Sequence, residues 1–167
     1  MEYTIRDTFE VSAERYWEIF FSDDYNAGLW PAIAVDWKPL KFERQGEGRS
    51  LKIVREQELT PHRQAPKAIQ KLVKGTITYV EKNDFDAASN AMKTVTVPNF
   101  MADRIDNHGV YRLQEVGPDK VERIWEGVCK AKIPLLGGQI EKYLVSEIKE
   151  SYAKATEYTR KYLAEHS

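Results

Sequence analysis

Near the start of the chain, Tyr3, Ile5, Phe9 and Val11 alternate with Thr4, Arg6, Thr8 and Glu10. A period of two is that of a strand with one buried face. Asp7 falls in the apolar row and interrupts it. The period then lengthens. Ser12 is placed as a helix N-cap, and Tyr16, Trp17, Phe20 and Phe21 recur at spacings of one and four. That spacing predicts a short, strongly aromatic helix, with Val11 stapled against Tyr16. Ser22 is a second cap: Asp23 and Asp24 follow where acids favour a helix N-terminus, and Pro31 stops the segment carrying Gly28, Leu29 and Trp30.

From Ile33 to Ala131 the pattern is that of strands. Residues 34–44 (Val35, Trp37, Phe42) and 51–59 (Leu51, Ile53, Leu59) flank Gly46 and Gly48 and read as a hairpin. Residues 60–75 hold Pro61 and Pro66, then Ile69, Leu72 and Val73 at helical spacing, which leaves a short helix or an irregular crossing. Four more strands are predicted at 76–81, 92–97, 109–116 and 121–132, separated by Asn83-Asp84, by residues 103–108 and by Gly117-Pro118-Asp119. In the last strand Glu126 and Lys130 are costly to bury, so Trp125, Gly127, Cys129 and Ala131 face inward. Small residues in that row let a helix approach closely. The segment from Gln139 onward contains no glycine or proline. Ile140, Leu144, Ile148, Ser151, Ala155, Tyr158, Thr159 and Tyr162 share one side of it, opposite Lys142, Ser146, Lys149, Ala153, Glu157 and Arg160. This is an amphipathic helix of about 25 residues, roughly 37 Å long. Its inner face, rich in small and hydroxylated residues, suits closure over a cavity.

The 167 residues carry apolar side chains along their whole length and show no linker, so a single domain spanning 1–167 is expected. Acidic and basic residues interleave to a net charge of −1, which argues against nucleic acid as a partner. Cys129 is the only cysteine and cannot close an internal disulfide. Residues 1–11 lack the apolar core of a leader, and no apolar run approaches the ~20 residues of an integral membrane segment. A cytoplasmic setting is expected, as a monomer or homodimer.

Strand, two short helices, six antiparallel strands and a long C-terminal helix is an order that resembles the helix-grip architecture of the START/Bet v 1-like (SRPBCC) superfamily, which also contains polyketide cyclases and aromatases. The most specific piece is Lys132-Ile133-Pro134-Leu135-Leu136-Gly137-Gly138-Gln139-Ile140-Glu141-Lys142-Tyr143-Leu144. It looks like the strand-to-helix junction of a bacterial branch of that superfamily whose function is unassigned. The resemblance implies an α+β fold in which a curved antiparallel sheet of about seven strands wraps a long C-terminal helix. It implies a tunnel between them for a lipid, sterol, polyketide or other apolar small molecule, and it brings no catalytic motif.

The residues themselves show no metal site: His62, His108 and His166 are scattered, without carboxylates at ligand spacing. No cofactor loop is present, since Gly46-Glu47-Gly48 lacks the following helix and reads as a turn. Cys129 reads as a small buried filler. The ligand-binding positions expected are Trp30, Trp37, Ile53, Arg55, Tyr79, Tyr111, Leu113 and Trp125 on or beside the sheet, and Leu144, Ile148, Ser151 and Ala155 on the helix. An enzyme of the cyclase or aromatase type would need a buried acid or base, for which Arg55, Gln57, Glu115 and Glu147 are candidates. Arg55 paired with Glu115 is the structural alternative. Entry is expected past residues 25–30 and 103–108. A filled interior with an exposed apolar patch would instead mark a protein-interaction module.

Overall fold

The computed structural model describes residues 1–166. Its elements in order are β1 (Glu2–Phe9), α1 (Ala13–Phe20), α2 (Asp23–Ala32), β2 (Val35–Gln45), β3 (Lys52–Pro61), α3 (Lys67–Gln70), β4 (Tyr79–Asp86), β5 (Ala91–Pro98), β6 (Ile105–Gly117), β7 (Lys120–Ala131) and α4 (Gly137–Glu165). The strands form one curved antiparallel sheet in the order β1-β7-β6-β5-β4-β3-β2, with α4 packed on β7, β1 and α2. This is the helix-grip architecture.

Both predicted caps form. Ser12 Oγ accepts from the Arg15 amide at 3.2 Å and Ser22 Oγ from the Tyr25 amide at 3.3 Å, satisfying donors that a helix start leaves free. Pro31 lies in the last turn of α2, which ends one residue later. Residues 60–75 contain a single helical turn, α3, within irregular chain.

Several strand boundaries differ from the expected ones, β4 starting at Tyr79 rather than at Thr76 and two others differing further. β4 runs through Asn83-Asp84, read from the sequence as a separator, because Asn83 points inward and its amide is bonded across the sheet to Arg55 and Thr94. β6 starts at Ile105 rather than at Gly109, with Ile105 and Asn107 both buried. The long helix begins at Gly137, ahead of the expected Gln139; a Cβ at Gly137 would collide with the Ala131 carbonyl oxygen.

The inward side chains line up in rows across the sheet. One row is Ile53, Phe85, Met92, Tyr111, Trp125 and Ile5; the next is Arg55, Asn83, Thr94, Gly109, Gly127 and Tyr3; a third holds Gln57, Glu81 and Thr96, with Asn107 and Cys129 continuing it. The first row packs against α1 through close ring contacts: Trp17 lies 4.5 Å from Phe85 and 5.6 Å from Tyr111 between centroids. The glycines of the second row do not admit the helix. Trp125 and Tyr3 lean over them, within 2.6 Å of where Cβ atoms on Gly109 and Gly127 would stand. The room created by small residues is filled by these two rings.

Asp7, which broke the apolar row of β1, pairs with Arg123 opposite it on β7. Arg123 is 2% exposed and also donates to Thr156 Oγ1 at 2.8 Å, while its guanidinium lies 4.8 Å from the Tyr152 ring and 5.2 Å from Phe9. A buried cation costs several kcal/mol unless paired; here one β1 carboxylate and one α4 hydroxyl engage Nη2, while the buried Nε has no hydrogen-bond partner among the described residues.

Candidate functional site

Between the sheet, α2 and α4 lies a cavity of about 200 Å³. Its apolar wall comes from Leu29, Ile33, Val35 and Leu59 at one end and from Leu144, Ile148 and Ala155 on α4. The sheet contributes something different: Arg55, Glu81, Thr94, Thr96 and Asn107, members of the second and third rows, form a polar belt under the apolar roof.

The belt is wired from the edge strand inward. Trp37 Nε1 donates to Gln57 Oε1 at 2.9 Å, and Gln57 Nε2 donates to Glu81 Oε1 at 3.1 Å. Asn83 Nδ2 donates to Glu81 Oε1 and to Thr94 Oγ1, both at 3.1 Å, while Asn83 Oδ1 accepts from Arg55 Nε at 2.8 Å. Phe20 and Phe21 each lie 5.0 Å from the Arg55 guanidinium carbon, holding its plane by cation–π contact. Burial pushes the Arg55 guanidinium below its ordinary value, against the opposing pull of Glu81. Burial pushes the phenols of Tyr79, Tyr111 and Tyr152 upward, so they stay protonated and act as neutral donors.

At the rim, Arg63 from the segment after β3 donates to Glu147 Oε1 at 3.2 Å and to Glu150, tying that segment to α4 across one side of the cavity. On the other side, Gly28 of α2 leaves room for the Tyr158 hydroxyl, and Tyr25 Oη is bonded to Thr159 Oγ1 at 2.6 Å.

Of the positions expected from sequence, Trp30, Arg55, Tyr79, Tyr111, Trp125, Leu144, Ile148, Ser151 and Ala155 line this cavity. Three do not. Ile53 and Leu113 are buried in the aromatic core toward α1, and Trp37 borders a smaller recess of about 70 Å³ beside β2. Each has inward parity, but parity says nothing about position along the strand. Glu115 is exposed beyond the end of the core and does not meet Arg55, whose neighbours are Asn83 and Glu81. Glu147 does line the cavity. Of the two expected entry segments, 25–30 borders the cavity, whereas only Asn107 of 103–108 does. Sequence reasoning missed Glu81, Asn83, Thr94, Asn107, Arg123 and Tyr152. The signal available was the alternation Tyr79, Glu81, Asn83, Phe85, a strand period whose inner row is half polar.

Among the described residues no group of His, Cys, Asp and Glu side chains is placed to hold a metal, and no helix is long and apolar enough to cross a membrane. No curated protein matches the chain in sequence. Many solved structures share its fold. A START superfamily protein from Mycobacterium smegmatis aligns with a TM-score of 0.62 at 19% identity, covering 97% of this chain and 98% of that one. Norcoclaurine synthase from Thalictrum flavum, in complex with dopamine and hydroxybenzaldehyde, aligns at 0.61 and 15%, covering 100% and 88%. The Zhui aromatase/cyclase from Streptomyces sp. R1128 aligns at 0.55 and 13%, covering 96% and 94%. The family model for a protein of unknown function, DUF2505, matches residues 4–163. With a curved seven-stranded sheet gripping a C-terminal helix as START/Bet v 1-like proteins have, the chain belongs to the DUF2505 family.

Proposed function

We propose that the chain binds an apolar or amphipathic small molecule between its sheet and α4, as a carrier or store rather than as a catalyst. The observation that carries this reading is the cavity of about 200 Å³, walled by aliphatic and aromatic side chains over a polar belt. Engineered apolar cavities of about 150 Å³ take up benzene. The volume here therefore suits a compound of one to two rings. A sterol, a lipid or a long polyketide would require α2 or the segment around Arg63 to move outward. Removal of apolar area from water drives capture at roughly 25 cal/mol per Å² before ordering costs, and the belt selects orientation.

The neighbours support a cavity fold and leave the ligand open. An interaction module with a filled interior is the reading the cavity favours least. An enzyme of the cyclase or aromatase type keeps one observation on its side: Glu81 and Glu147 line the same cavity as the buried Arg55. The near-neutral charge is in keeping with a protein that does not bind nucleic acid, and a cytoplasmic monomer or homodimer is part of the same proposal. Native mass spectrometry of protein purified from cells, followed by organic extraction, tests the proposal. A stoichiometric copurified ring compound released unchanged supports it. Conversion of that compound by the protein, lost in Glu147→Gln, replaces it with the enzymatic reading. Absence of any small molecule, together with no uptake from a panel of ring compounds, overturns both.

A further inference from the structure

The polar groups of the cavity divide into those that satisfy one another and those that do not. Arg55 is 6% exposed, and of its nitrogens only Nε has an acceptor, Asn83. The nearest carboxylate oxygen, Glu81 Oε1, lies 3.9 Å from Nη2, outside hydrogen-bond reach, and is already engaged by Gln57 and Asn83. The two terminal nitrogens thus have no hydrogen bond to any described residue, in a plane fixed by Phe20 and Phe21. Asn107, 5% exposed, also lines the cavity, and its side-chain amide has no partner among the described residues. Neither group is among the fully buried atoms without a partner, so both face the cavity, where water meets them until a ligand with matching groups takes its place.

Position and charge narrow what that is. Arg55 is on β3 and Asn107 on β6, three strands apart and two residues out of line, so their backbones are separated by about 16 Å along the sheet at about 4.8 Å per strand and 3.4 Å per residue. The long arginine side chain takes up part of that gap, and the remainder is of the size of a ring system. Arg63 is matched by Glu147 and Glu150 and Arg123 by Asp7, so the guanidinium left to meet a ligand is that of Arg55. A guanidinium fork with free terminal nitrogens matches a carboxylate in two parallel hydrogen bonds. Resting on the ligand-binding reading above, we infer that the ligand is a compact aromatic acid with two polar ends. Its carboxylate is received by the Arg55 terminal nitrogens, and a hydroxyl or carbonyl oxygen at the far side of the ring is received by Asn107.

Titration calorimetry with hydroxynaphthoate and para-hydroxybenzoate, their methyl esters, and the same acids without the hydroxyl tests this directly. The free acids are expected to bind at least tenfold more tightly than their esters. Arg55→Met, which keeps the length of the side chain and removes the fork, is expected to abolish that preference. Asn107→Leu, at a side chain with no internal bond to lose, is expected to weaken the hydroxy acid several-fold and leave the unsubstituted acid unchanged. If Arg55→Met does not fold, the acid-over-ester preference of the wild type decides alone. Esters binding as well as acids would overturn the inference while the cavity reading stands. No binding of any probe, with no copurified compound, removes both.

Discussion

Ala155→Leu turns the existence of the cavity into the sign of a free-energy change. Ala155 is on α4, half-buried, and lines the cavity opposite the sheet. Leucine adds three carbons there, and alanine and leucine differ little in helix propensity, so packing decides the outcome. In a void of about 200 Å³ the added carbons leave water for an apolar wall. At about 0.8 kcal/mol per methylene they stabilise the protein by up to about 2 kcal/mol. In an interior already filled, the same atoms force neighbours off their rotamers and cost about 1–3 kcal/mol. Urea unfolding with a constant m-value reads the difference, and a melting shift of about 2–4 °C per kcal/mol corroborates it. Uptake of ring compounds should fall as stability rises. A variant destabilised by 1 kcal/mol or more that still binds like the wild type would refute the placement of the ligand under α4.

Other perturbations probe what surrounds the cavity. Asp7→Ala strands the buried Arg123 and should cost about 3 kcal/mol in urea unfolding, at the lower end for a broken buried pair because Asp7 is 24% exposed; Asp7→Leu with Arg123→Met should recover much of it. Gly109→Ala places a Cβ 2.5 Å from the Glu126 carbonyl oxygen and 2.6 Å from Trp125, and should cost about 1–3 kcal/mol while leaving Arg55 in place. Stability should fall as pH rises above about 9. Burial holds the folded Cys129 thiol to about 11 against 9.0 and the Tyr3 phenol to about 12 against 10.0, so the unfolded chain releases these protons first. Urea midpoints that stay flat from pH 8 to 11 would contradict that burial. Arg63→Gln opens the tie to Glu147 and Glu150; it should change stability by less than about 1 kcal/mol yet speed exchange of a bound ring compound in stopped-flow fluorescence.

Element order and capping were legible because they rest on local signals. Ser12 and Ser22 sit one residue before a helical period, and the strands alternate by twos. The polar belt was not legible for the same reason. Asn83-Asp84 has the composition of a turn, and only the partners that β3 and β5 bring to Asn83 make it strand interior. Asp7 looked like a break in an apolar row, yet its partner Arg123 lies 116 residues away in the chain and meets it through the closing of β1 on β7. The helix stripe was read correctly at Leu144, Ile148, Ser151 and Ala155, but Thr156 and Tyr152 entered the interior through contact with Arg123, a demand that periodicity does not carry.

The interior is therefore divided along the strands, and on the proposed ligand-binding reading the division separates stability from recognition. Toward α1, rings stack on rings: Trp17 and Phe85 pack against one another and against Phe20 and Tyr111, which form the edge of the cavity. Toward α2 the same strands present Arg55, Glu81, Thr96 and Asn107, and α4 faces them with the small Ser151 and Ala155 among larger side chains such as Leu144, Ile148 and Tyr152. A sequence shaped only for stability would fill that space, since each apolar carbon placed there is favourable and each unmet donor is not. Both departures occur on facing surfaces of one cavity. Their joint presence follows when a guest supplies the missing carbons and the missing acceptors together, so ligand binding and thermal stability should rise in step when the right compound is added.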